Sequence, residues 1–173
     1  KKITILALIF SHLNSFSQTT LKVMGRNLTL TTGQTVVLRG VNYPIINEGS
    51  ISLNNPAQYQ AYIDQVAQTG ANAIRIPWYT SGKSWRDQPA NGGTIGTVNS
   101  YVSGGHLNNI IAYYITKGMI PILSIHDDNY ITCNADWNYF NFTFMNFCTC
   151  LVVLSLIENN KAKMIITLAN EFD

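Results

Sequence analysis

Apolar residues along the chain fall into two alternating patterns. Tyr59, Tyr62, Ile63, Val66 and Ala67 recur at helical spacing, and Leu107, Ile110, Ile111, Tyr114 and Ile115 repeat the same spacing. Asn55 followed by Pro56 supplies an N-cap and a first helical residue that needs no N–H donor, and Gly70 closes this first helix. Lys117-Gly118 closes the second with a basic last turn and a glycine cap. A third helix is expected to end near Asn160. Between the helices stand short continuous apolar runs of the kind that a parallel strand buried on both faces requires. They are Ala73-Ile74-Arg75-Ile76, Met119 to Ile125 and Met164 to Ala169, and Leu38 to Tyr43 is a further strand leading into a loop. Ahead of them, Lys22 to Leu38 is rich in Thr, Val and Leu and predicts a hairpin turning at Thr32-Gly33-Gln34.

Strand and helix alternate, with long loops after strands and tight turns after helices, which is the pattern of a parallel α/β fold. Two architectures fit, a doubly wound open sheet and a (β/α)8 barrel. A doubly wound nucleotide-binding sheet usually shows a Gly-rich phosphate turn after its first strand, and Gly40-Val41-Asn42-Tyr43-Pro44 lacks that pattern. The barrel is favoured because Arg75, His126 and Asn170-Glu171 each fall toward the C-terminal end of a different apolar strand. That is the face from which barrel enzymes draw their catalytic groups.

Composition narrows the partners. Of 173 residues, 46% are hydrophobic and 12% are charged, enough apolar material for one core and too much for intrinsic disorder. The formal charge is +2, and both surplus positives, Lys1 and Lys2, open an N-terminal segment with the form of a secretory signal. In that segment the apolar run Ile3 to Phe10 precedes the polar stretch Ser11 to Ser17. Cleavage before Gln18 is expected, with residues 1–17 removed, 18–173 forming part of a single folded domain, and the mature chain secreted or periplasmic. The run Ile3 to Phe10 is too short to span a bilayer, no membrane partner is expected of the mature form, and its zero charge balance makes nucleic acid a poor partner. Cys133, Cys148 and Cys150 are an odd set, and the one-residue gap in Cys148-Thr149-Cys150 is not the spacing of a zinc site. No metal and no cofactor are expected.

Glu171 is the first catalytic candidate, since a carboxylate directly after an apolar strand is partly desolvated and its pKa rises toward the range of a general acid. The same residue could equally be a solvated loop glutamate. Asn170 beside it offers uncharged hydrogen bonding to a sugar hydroxyl, or could cap a following helix. Arg75 stands inside an apolar strand, where an unpaired guanidinium would be costly. It either pairs with a near acid such as Asp127 or holds a catalytic carboxylate found elsewhere. His126 is a structural or a ligand-binding histidine, and adjacent His126, Asp127 and Asp128 point apart and cannot share one ion. Trp78, Trp85 and Trp137 are either stacking platforms for sugar rings or loop packing.

These residues carry a resemblance. Leu38-Arg39-Gly40-Val41-Asn42, Ala73-Ile74-Arg75-Ile76-Pro77-Trp78, the stretch Lys117 to Asp127 and Leu168-Ala169-Asn170-Glu171 look like glycoside hydrolase family five, the cellulase and mannanase family of retaining barrel enzymes. The resemblance runs in order from about Val23 to the last residue. It implies a (β/α)8 barrel represented by an N-terminal hairpin and roughly the first four βα units, the N-terminal half of the domain. It implies Glu171 as acid/base, Asn170 on the sugar 2-hydroxyl, Arg75 orienting the nucleophile and His126 in the cleavage subsite. Asn42, Trp78, Asp127 and Trp137 are the expected substrate contacts. No residue here matches the family's nucleophile, a second glutamate after the seventh strand, so the chain alone is expected to be inactive. The expected substrate is a β-1,4-linked polysaccharide or oligosaccharide; the alternative is a carbohydrate-binding protein without catalysis.

Overall fold

The computed structural model describes residues 20–42, 55–79, 105–126, 145 and 148–167, with the backbone alone for residues 78, 79, 125 and 126. Six strands and three helices occur among them. Strands β1 (Leu21–Met24) and β2 (Asn27–Leu30) form an antiparallel hairpin. Then follow β3 (Gly40–Asn42), α1 (Pro56–Gln68), β4 (Ala73–Tyr79), α2 (His106–Thr116), β5 (Ile120–His126), α3 (Leu151–Asn159) and β6 (Ile165–Thr167). The four later strands make one parallel sheet in the order β3-β4-β5-β6. A doubly wound sheet reverses its strand order at a switch point. This sheet adds each strand to the same edge as the last, as a barrel wall does. The proposed signal segment, residues 1–17, lies outside the described residues. No helix among the described residues is long and apolar enough to cross a membrane.

Two sequence expectations need correction. The hairpin ladder closes across Gly25-Arg26, with Met24 paired to Asn27, and not across Thr32-Gly33-Gln34. Gly25 holds φ at +59°, and a two-residue turn with positive φ at its first central position selects glycine. The chain also turns at Thr32-Gly33-Gln34 as expected, with the Gly33 N–H donating to the Leu30 carbonyl, but the return is short: an antiparallel bridge of Thr29 with Thr35, flanked by bonds from the Leu30 N–H to the Gln34 carbonyl and from the Val36 N–H to the Leu28 carbonyl. The second correction concerns β4, which runs through Pro77 to Tyr79 instead of stopping at Ile76. The described part of β3 pairs no further than Arg75, so Pro77 lies beyond the ladder on that side, where a residue without an N–H is tolerated.

One core holds the helices to the sheet. Tyr59, Ile63 and Val66 of α1, Leu107, Ile110, Ile111 and Tyr114 of α2, and Val153 and Leu156 of α3 pack on Ile74, Ile76 and Leu123. The apolar spacing that predicts α1 and α2 therefore marks the buried stripe of each, and Gly70 and Gly118 end them with positive φ. Asp64 of α1 also meets α2 at the surface. Its Oδ1 lies 2.7 Å from Lys117 Nζ and accepts a hydrogen bond from the Tyr113 hydroxyl at 3.0 Å. Lys117 holds the Asp64 carboxyl below the usual carboxylate range and is itself raised by that hydrogen bond. A depressed carboxyl stabilises the fold above its unfolded pKa, so this contact is lost as acid titrates Asp64, and salt weakens it at so exposed a position.

The N-terminal ends of the parallel strands are tied by backbone and amide bonds. Asn72 Oδ1 accepts from the Arg39 N–H at 2.7 Å, and Asn72 Nδ2 donates to the Val37 carbonyl at 2.9 Å. The Ile120 N–H donates to the Asn72 carbonyl at 2.9 Å, so one asparagine joins the chain before β3 to the starts of β4 and β5. The hairpin is anchored at the same end, where the Leu21 N–H donates at 2.6 Å to the carbonyl of Ala162, a residue at φ +60° in the turn before β6.

Gly40 opens β3 beside Ala73, and a Cβ built on it would lie 2.6 Å from the Ala73 carbonyl oxygen. That atom is backbone in a paired strand and cannot swing aside. Gly40→Ala is therefore expected to destabilise the protein by about 1–3 kcal/mol, the range for overpacking. Urea unfolding checks it, and a midpoint equal to that of the unmodified protein would show that β3 shifts freely.

Candidate active site

The strand register separates two faces of the sheet. Ile74, Ile76 and Leu123 face the helices, so their neighbours along β4 and β5 face the other way. On that second face each parallel strand carries a polar residue: Asn42 on β3, Arg75 on β4, Ser124 on β5 and Thr167 on β6. Strands buried between two layers usually read as unbroken apolar runs, so a polar residue on every strand of one face is a departure that points to function.

Asn42 and Arg75 are register partners on adjacent strands, with Asn42 exposed and Arg75 half-buried. Arg75 is paired in register with Ile122, yet its Nη2 donates at 2.9 Å to Oγ of Ser124, two residues further along β5. The guanidinium therefore reaches diagonally toward the carboxyl ends of the strands. Ser124 is fully buried, and Thr167 Oγ1 lies 2.8 Å from the same oxygen. The three side chains form a continuous polar line across β4, β5 and β6.

The carboxylates expected near Arg75, Asp127 among them, lie outside the described residues, and within those residues its guanidinium bonds a serine hydroxyl. Ser124 and Thr167 escaped the sequence reading because each lies within an apolar run that reads as core. The available signal was the strand period: Ser124 and Ile122 share one face, as do Thr167 and Ile165.

His126 is the last residue of β5 and pairs in register with Tyr79 at the end of β4. It stands four residues beyond the Arg75 partner Ile122, about 13 Å further along at ~3.3 Å per residue. Trp78 lies in β4 and not in a loop, as the register partner of Ile125. Asp127, Trp137, Asn170 and Glu171 lie outside the described residues, as do Trp85, Asp128 and Cys133. Cys148 and Cys150 are half-buried free thiols just before α3, and burial pushes the Cys148 pKa up.

A hairpin followed by parallel strands added in one direction, with helices on one face and polar side chains on the other, defines a segment of a (β/α)8 barrel. The family model for cellulase, glycosyl hydrolase family 5, matches residues 30–173. The chain thus belongs to glycosyl hydrolase family 5, whose members fold as such barrels. Among solved structures it is similar to a β-1,4-D-mannanase from Cryptopygus antarcticus, with a TM-score of 0.60 and 22% identity over 89% of this chain and 44% of that one. A mannohexaose complex of a β-mannanase from Thermomonospora fusca gives a TM-score of 0.55 and 18% identity over 88% of this chain and 43% of that one. A cellotetraose complex of an endocellulase from Pyrococcus horikoshii gives 0.51 and 19%, over 88% and 43%. The chain spans less than half the length of each of these barrels. No curated protein matches it significantly.

Proposed function

We propose that the chain forms the N-terminal half of a secreted, retaining endo-β-1,4-glycanase of the cellulase or mannanase type. The observation that supports this most is the polar residue on every parallel strand of the face turned from the helices, in a chain of glycosyl hydrolase family 5. The mannohexaose and cellotetraose bound by its structural neighbours favour a β-linked glycan as substrate.

In this reading Glu171, four residues after Thr167, protonates the glycosidic oxygen and then deprotonates the water that releases the sugar. A retaining mechanism sets the nucleophilic carboxylate about 5–5.5 Å from the acid. Arg75, always charged and rich in donors, holds that carboxylate ionised and oriented. Asn170 bonds the sugar 2-hydroxyl, His126 contacts the sugar at the cleavage point, and Asn42, Asp127 and Trp137 line the subsites; Trp78 shares the β4 register parity of Ile74 and Ile76, the helix side of the sheet, and is left out of them. In this reading turnover requires that second carboxylate beside Glu171. Residues 1–17 act as the export signal.

The test is hydrolysis of soluble glucans and mannans by the enzyme that carries this chain, with the anomeric configuration of the first product read by NMR. Internal cleavage with retained configuration is expected. Tight binding of oligosaccharides without cleavage of any polysaccharide would instead favour a carbohydrate-binding protein that has lost catalysis.

A further inference from the structure

We propose that Ser124 is a positioning residue for Arg75: its buried hydroxyl, held from β6 by Thr167, fixes the guanidinium toward the carboxyl ends of the strands. The inference rests on the glycanase reading above and adds residues that this reading does not use.

The geometry supports it in three steps. First, a guanidinium only donates hydrogen bonds, so Ser124 Oγ accepts the 2.9 Å bond from Arg75 Nη2. Second, the same oxygen shares a 2.8 Å bond with Thr167 Oγ1 on the next strand, so the serine hydroxyl is engaged from two sides. Third, Ser124 is fully buried, and bulk water is not available to replace either partner. A long side chain on β4 is thereby referenced to two further strands, and its tip is displaced two residues toward the ends where His126 and Tyr79 pair. All three lie on the sheet face turned away from the helices. A charged group whose task is to orient a reacting carboxylate needs such an anchor, because misplacement of about 1 Å can cost on the order of 100-fold in rate.

Three variants test the proposal: Ser124→Ala, Ser124→Thr, which keeps the hydroxyl, and Thr167→Val, which removes the second anchor with little change of shape. The first readout is the side-chain ¹⁵N NMR of Arg75 in the folded enzyme that carries this chain. Separate, slowly exchanging Nη signals are expected in the unmodified protein, with faster exchange in Ser124→Ala and slow exchange restored in Ser124→Thr. Averaged signals in the unmodified protein would overturn the proposal. The second readout is kinetic, on the enzyme that carries the chain. Ser124→Ala is expected to lower kcat about 10- to 100-fold with KM within about twofold. It should also raise the lower pKa of the pH–rate profile, since the carboxylate loses part of a fixed cation. Thr167→Val should do the same to a smaller degree. An active parent whose kcat and pH profile are unmoved by Ser124→Ala sinks the positioning role and leaves the glycanase reading intact. A folded parent that cleaves no β-glycan sinks the glycanase reading, whatever the NMR shows, and removes the catalytic purpose proposed for Ser124.

Discussion

Glu171→Gln is expected to lower hydrolysis of substrates with poor leaving groups by about 100- to 10,000-fold, the usual contribution of a positioned general acid or base. The substitution preserves size and hydrogen bonding but removes the transferable proton. A natural glycosidic oxygen leaves as a poor alkoxide unless protonated, so bond cleavage should suffer most there. An activated aryl glycoside departs as a stabilised phenolate and should keep a fast first step. With that substrate, slow release of the glycosyl-enzyme would dominate, since the same residue activates water in the second half. Steady-state and burst kinetics on both substrate types separate the two steps. Equal loss with good and poor leaving groups in the bond-cleaving step would remove Glu171 from the acid role.

Leu123→Ala should have the largest effect on stability, about 2–5 kcal/mol, from lost burial and the cavity left behind. Leu123 is fully buried on β5, between β4 and β6, in the apolar cluster that joins the sheet to all three helices. A strand held on both sides cannot readily move to fill the gap. Against a typical total of about 5–15 kcal/mol, the loss would leave the protein near its folding threshold. Urea unfolding should show a lower midpoint with an unchanged slope. Val23→Ala, at a position 73% exposed in β1, is the matched control and should change stability by less than about 0.5 kcal/mol. Equal shifts for the two would mean that the sheet does not form the cooperative centre of the fold.

The strength of the sequence signals differed from element to element for physical reasons. Helices α1 and α2 were legible because burial of one stripe forces apolar residues into the 3.6-residue period, which Tyr59, Ile63, Val66 and Leu107, Ile110, Tyr114 keep. The parallel strands were legible as apolar runs. The end of β4 was not, because Pro77 reads as a terminator until the shorter pairing of β3 is known. The hairpin turn was misplaced for a related reason. Both Gly25 and Gly33 adopt positive φ, and local composition alone does not say which of two turns carries the ladder.

The sequence by itself determined the alternation of strands and helices, the apolar stripes that bury them, and the strand-end motifs that place the chain in its family. These depend on local periodicity and on neighbours in the chain. Only the tertiary structure decided which residues meet across strands: the ladder through Gly25-Arg26, the close approach of Gly40 to Ala73, and the line from Arg75 through Ser124 to Thr167. Ser124 lies 49 residues from Arg75 and 43 from Thr167, and nothing in its own apolar run distinguishes it from a serine buried by chance. Its partners are set by sheet register, and register follows from how α1, α2 and α3 pack on Ile74, Ile76 and Leu123.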